Sequence, residues 1–151
     1  ITDNSMSRFN ITLKEWVDFV FDCLGKMWGG EIFVPKIPSY KILDVAKAID
    51  PSVKLIFTGI RPGEKLHEEM ITVNDSINSV EFKNYYVILP ATPIWDLQDF
   101  IENSSKESGL RCEYGFSYDS RTNKEFLTVS DLQKLIEKIV WYDFLWQTNY
   151  Y

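Results

Sequence analysis

Glycine-rich phosphate loops are missing from this chain of 151 residues, which has seven glycines and no G-x-G-x-x-G or similar run. Its own residues therefore offer no backbone cradle for a dinucleotide. No tyrosine is followed four residues later by lysine. Only two cysteines occur, Cys23 and Cys112, and they do not form a C-x-x-C pair. Neither a disulfide framework nor a zinc site is expected, and the setting expected is reducing and cytoplasmic. One histidine, His67, is too little for a convincing Ser-His-Asp arrangement. With Glu68 and Glu69 behind it, it does not make H-E-x-x-H, so no metal site is expected. No apolar run approaches the roughly 18 residues that span a membrane, and no segment reads as a signal peptide. Basic residues are outnumbered, 16 to 22, for a net charge of −6, and they form no long run. That argues against nucleic acid as a partner. A small anion is still a possible ligand, because one or two placed arginines suffice.

What is present is the composition of a globular domain, 45% hydrophobic and 25% charged. The length suits one domain. Opening on Ile1-Thr2-Asp3 rather than on methionine reads as a fragment or an excised domain.

Thr12-Leu13-Lys14-Glu15 has capping-box form and predicts a helix of about 12 residues. Its expected buried face is Trp16, Val17, Val20, Phe21 and Leu24, with Gly25 and Gly29-Gly30 ending it. Ile32–Val34 reads as a buried strand, Ile42–Ile49 as a helix with Ile42, Val45, Ala46 and Ile49 inward, and Val53–Phe57 as another strand. This alternation predicts an α/β fold with parallel strands. Lys65–Met70 reads as a short helix and Asn84–Leu89 as a strand. The stretch 93–115 carries no clear signal. Thr128 and Asp131 start a last helix with the stripe Val129, Leu132, Leu135, Ile136 and Ile139. The aromatic end, with Trp141, Phe144, Leu145 and Trp146, is expected to pack on another surface.

The stretch richest in chemistry is GIRPGEKLHEEMI, residues 59–71. Pro62 suits the second position of a β-turn, and Gly63 tolerates the positive φ of a type II third position. Arg61 and Glu64 then lie within about 7 Å of each other. A guanidinium there can grip a phosphate with two parallel bonds, and the carboxylate suits a ribose diol. The simpler reading is that the two residues pair with each other and that Glu64 favours a following helix. Arg8 is a second arginine at an element boundary, or a plain surface arginine. Lys36 sits past a strand end between Pro35 and Pro38, where α/β ligands often bind, or is a solvated loop lysine.

MSRFNITLKEWVDFV, GGEIFVPKIPSYKILDVAKAI and GIRPGEKLHEEMI together resemble the C-terminal half of the inverting UDP-N-acetylglucosamine 4,6-dehydratases. These are extended short-chain dehydrogenases/reductases of polysaccharide and pseudaminic acid biosynthesis. NYYVILP and FSYDSRTNKEFLTVSDLQKLI look like later family segments. The resemblance weakens at 91–112 and after about residue 140. It implies that residues 1–151 form one nucleotide-sugar-binding region, with the Rossmann core largely missing. Arg8 and Arg61 would contact the diphosphate of a UDP-sugar, and Glu64 the ribose. Pro35 and Lys36 belong to the block VPKIPS, which favours the inverting enzymes over retaining relatives. The whole enzyme would hold NADP in an N-terminal Rossmann domain and be a homo-oligomer. It would move hydride from C4 to NADP, eliminate water across C5 and C6, and return hydride to C6 with inversion at C5. UDP-hexose 4-epimerases share the Arg/Glu clamp, and a scaffold domain without a ligand is a further alternative. Two features depart from the family. Asn10 stands where an aromatic is expected, and the end is unusually aromatic.

These absences predict a chain that binds without catalysing. Incubated with UDP-N-acetylglucosamine and NADP, it should give no 4-keto sugar above a control without protein. A keto product from purified material would contradict this.

Overall fold

The computed structural model describes residues 1–104 and 108–148, with side chains through residue 138. In chain order the elements are β1 (Ser7–Phe9), α1 (Leu13–Leu24), β2 (Ile32–Pro35), β3 (Ser39–Lys41), α2 (Ile42–Ile49), β4 (Glu69–Ile71), a 3-10 turn (Asp75–Asn78), β5 (Ser79–Glu81), β6 (Tyr85–Ile88), α3 (Leu97–Asn103), β7 (Leu110–Arg111), β8 (Tyr118–Asp119) and α4 (Val129–Thr148). The fold is mixed α/β, as expected, but its pairing is not. Every strand pair among the described residues is antiparallel. The parallel contact found is the isolated bridge Ser39–Phe126.

Both capping signals are realised. Thr12 Oγ1 accepts from Glu15 N at 3.3 Å, while Glu15 Oε2 accepts from Thr12 N at 2.8 Å. Thr128 and Asp131 make the same reciprocal pair ahead of α4. Each pair satisfies helix-end donors that would otherwise lack partners. A third cap was not read from the sequence. Asp96 accepts from Asp99 N at 2.8 Å and opens α3.

Helix α1 keeps the expected bounds but not the expected burial. Trp16, Val17, Val20, Phe21 and Leu24 are all exposed, Phe21 at 70%. The periodicity correctly marks a helix, but α1 meets the core through Phe19 instead. In α2, Ala48 is buried and Ile49 is exposed at 69%. This reverses the expected inward position, because α2 packs along α4. Leu132 of α4 is buried, whereas Ile139 and the aromatic end lie outside the described side chains.

Two expected elements do not form. Val53–Phe57 has no strand neighbour among the described residues, and Ile56 is 70% exposed. The run is held instead by the chain start, where Ile1 N donates to Ile56 O and Thr58 N donates to Ile1 O, both at 2.9 Å. Lys65–Met70 is not helical. Glu69–Ile71 pairs with β8, and the carbonyls of Lys65 and Leu66 accept from Arg8, which withdraws acceptors that a helix would need.

The four-stranded sheet runs β2-β6-β5-β7, and two-stranded sheets join β1 to β3 and β4 to β8. Strand side chains alternate between faces. Tyr85 and Val87 enter one core with Val80, Phe82, Leu89, Phe100 and Ile101. Tyr86 enters a second with Phe9, Val34, Ile71 and Tyr118, and Ile88 packs against it. Gly109 closes the first core. A Cβ there would stand 2.5 Å from Val80 Cγ1 and 2.8 Å from Phe82 Cζ, both buried. Gly109→Ala should therefore lower unfolding stability by about 1–3 kcal/mol through overpacking, read as a shifted urea midpoint.

Candidate functional site

The corner at Arg61–Glu64 is the turn that its residues dictate. Glu64 N donates to Arg61 O at 3.0 Å, and Gly63 has φ +81°. The Glu64 carboxylate closes the turn a second time. Oε2 accepts from Arg61 N at 3.1 Å, and Oε1 accepts from Thr2 Oγ1 at 3.2 Å. The two side chains do not pair with each other. Arg61 is exposed, and its guanidinium makes no hydrogen bond or ion pair with any described residue. A free cation thus stands at the first position of a fixed turn, beside a carboxylate that is already anchored.

Arg8 lies on β1, half-buried, and the structure brings it behind this corner. Nη1 donates to Ser7 O at 2.7 Å and to Leu66 O at 3.0 Å. Nη2 donates to Lys65 O at 2.9 Å and contacts Met6 Sδ at 3.3 Å. Nε lies 3.8 Å from Glu68 Oε1, and Glu68 Oε2 accepts from Phe9 N at 2.8 Å. Its donors therefore face protein acceptors, unlike those of Arg61. Burial raises the nearby Tyr40 phenol, and Glu68 adds to that shift.

Sequence reasoning missed the residues that brace this segment. Ser7 and Ser120 are both buried. Ser7 Oγ lies 2.7 Å from His67 Nδ1 and 2.8 Å from Ser120 Oγ. Ser120 Oγ accepts from Glu68 N at 2.9 Å, and Ser120 N donates to Glu68 O at 2.7 Å. No local spacing marks these serines. They meet across 113 positions of sequence. Thr2 was missed for the same reason.

Pro35 and Lys36 stand elsewhere, and no hydrogen bond links them to the corner. Pro35 is buried at the end of β2. Lys36 N donates to Asn84 O at 3.0 Å. Its ammonium pairs with Glu81 at 2.6 Å and lies 4.7 Å from the Tyr86 ring centre. It borders a groove of about 880 Å³ with Tyr86, Arg111, Tyr114, Phe116 and Lys124. Cys112 also lines this groove, and burial pushes its thiol up to about 11. Cys23 is raised to about 11 for the same reason. Both are thiols at neutral pH, which makes them poor nucleophiles. Among the described residues there is no cluster able to hold a metal ion, and no helix is long and apolar enough to cross a membrane.

The chain is 44% identical over 137 residues to a UDP-N-acetylglucosamine 4,6-dehydratase (inverting) of Campylobacter jejuni strain 81-176, covering 90% of this chain and 41% of that protein. It is 34% identical over 141 residues to a UDP-glucose 4-epimerase of Rickettsia massiliae, with 90% and 40% covered. A solved structure, the X-ray structure of Pen from Bacillus thuringiensis, matches with TM-score 0.71 and 26% identity, over 91% of this chain and 40% of that one. The chain thus spans about two-fifths of the length of these relatives. A family model described as polysaccharide biosynthesis protein matches residues 1–90, the part that carries Arg8, Pro35, Lys36 and the turn. With that match over more than half its length, the chain belongs to the polysaccharide biosynthesis protein family.

Proposed function

We propose that this chain is the UDP-sugar-binding part of an inverting UDP-N-acetylglucosamine 4,6-dehydratase acting in surface-glycan biosynthesis. The observation that carries the proposal is the unpaired Arg61 guanidinium on a rigid turn, next to the carboxylate of Glu64. In this reading Arg61 grips the diphosphate and Glu64 takes the ribose hydroxyls with its remaining lone pairs. Arg8, directly behind, adds a second positive charge toward the diphosphate. Pro35 and Lys36 shape a more distant part of the substrate region. The similarity to the Campylobacter dehydratase supports this reading, and so does the block VPKIPS. The Rickettsia similarity favours a 4-epimerase as the second reading. Residues around a Tyr-x-x-x-Lys pair, outside these 151, would discriminate the two.

NADP does not fit the residues present. No strand-to-helix junction here carries a glycine-rich loop, and no Tyr-x-x-x-Lys pair occurs. In our reading the whole enzyme is an NADP-dependent lyase of the cytoplasm, and the preceding Rossmann domain holds the cofactor and does the chemistry. The exposed apolar face of α1 and the exposed run at Val53–Phe57, which has no strand neighbour among the described residues, fit a surface covered by that domain or by a second subunit of a homo-oligomer.

The test is a set of titrations on the full-length enzyme. Arg61→Ala removes charge-assisted bonds worth roughly 1.5–3 kcal/mol, so UDP binding should weaken by about 10- to 100-fold. The loss should shrink at higher salt and spare uridine, which has no phosphate. Glu64→Ala should weaken UDP and uridine alike and 2′,3′-dideoxyuridine diphosphate least. Equal effects of Arg61→Ala on UDP and uridine would remove Arg61 from the phosphate role.

A further inference from the structure

Behind the turn, four groups form a chain of hydrogen bonds with a direction. It starts at Glu68 N, which can only donate, and its partner is Ser120 Oγ at 2.9 Å. Ser120 is fully buried, and the acceptor within reach of its own proton is Ser7 Oγ at 2.8 Å. Ser7 is buried too, and its proton then goes to His67 Nδ1 at 2.7 Å. Every hydroxyl is satisfied only if Nδ1 is bare, that is, if the imidazole is neutral with its proton on Nε2. A protonated ring would donate from Nδ1, reverse the Ser7–Ser120 bond and leave a buried hydroxyl proton without an acceptor.

These hydrogen bonds tie β1 and the residue after β8 to the strut of residues 65–68 that follows the turn. Ser7 N also donates to Leu66 O at 3.1 Å. Glu64 stands three positions before His67 and is hydrogen-bonded to the Arg61 backbone, so the strut sets where the turn, and with it the base of the Arg61 side chain, stands. We propose that His67 is a positioning residue for the Arg61–Glu64 clamp, acting through Ser7 and Ser120, and that its protonation loosens the clamp. The inference rests on the phosphate reading of that turn. Asp3, from the chain start, interacts with the ring through its charge; the other charged groups on the segments that hold it are Arg8 on β1, Glu64, Lys65, Glu68 and Glu69 beside it in the chain, and Asp119 and Arg121 on either side of Ser120.

The experiment titrates UDP into the full-length enzyme and its variants from about pH 5 to 8, the range in which histidine changes charge. His67→Asn keeps an acceptor near the Nδ1 position and cannot take a proton. It should bind UDP as the parent does at pH 8 and better than the parent at pH 5. His67→Gln sets its amide nearer the Nε2 position and should lose about fivefold at pH 8, the weight of one ordinary hydrogen bond. The proton uptake of UDP itself is common to all proteins and cancels in the ratio of Asn variant to parent. A ratio that stays flat with pH, or an Asn variant no better than the Gln variant, overturns the inference. Arg61→Ala is the control for the underlying reading. If it leaves UDP binding unchanged, the phosphate role falls first and the inference falls with it.

Discussion

Strand β6 is the element on which the rest of the structure depends. It is paired on both sides, to β2 and to β5, and its two faces enter different cores. Tyr85 and Val87 close one, and Tyr86 contributes to the other. A strand buried on both faces shows no polar alternation, and the run NYYVIL is unbroken for that reason. Because the cores share this backbone, they are coupled. A shift of register by one residue would exchange every side chain between them. The segment that carries the candidate site is attached to the second core through Phe9, Ile71 and Tyr118, so its geometry is set by the same strand.

The two arginines of the candidate site illustrate a division of labour between residues of one chemistry. Arg61 has its guanidinium donors free at the first position of the turn, whereas Arg8 spends its donors on the carbonyls of Ser7, Lys65 and Leu66 and lies beside Glu68. The fork of a guanidinium suits either task. What differs is the backbone around each. Arg8 sits in a strand with carbonyls converging on it, and Arg61 sits where the chain reverses and offers none. Glu64 does both jobs at once, since its carboxylate holds the turn while each oxygen keeps lone pairs in reserve.

Local signals were legible in the sequence, and non-local ones were not. The capping boxes at Thr12 and Thr128 and the P-G turn involve residues three apart, so their physics is contained in the sequence read. Asp96-x-x-Asp99 is of the same kind and could have been read, but its helix lies in a stretch without clear periodicity. The failures have one cause. Whether Val53–Phe57 becomes a strand depends on a neighbour, and no described residue supplies one. Lys65–Met70 has helical composition, yet Arg8 and β8 draw its backbone into other partnerships. The stripe on α1 was read correctly as apolar, but burial is a property of what lies opposite, which the stripe itself does not encode. The turn that brings Arg61 and Glu64 together was legible because turn chemistry is local. Ser7 and Ser120 were missed because a buried serine carries no spacing.

The four-stranded sheet has unequal edges. At one end β7 contributes only two residues. At the other, β2 offers four, with Ile32 exposed at 60% and a proline at its last position. A short edge gives an incoming backbone little to pair with, while a longer edge is a template for strand addition. Proline without an N–H blocks one rung and so stops pairing at that point. Growth of the sheet is therefore directional. Among the described residues, the backbone of Ile32 to Val34 on the β2 side offers an incoming strand more rungs than the two residues of β7 do.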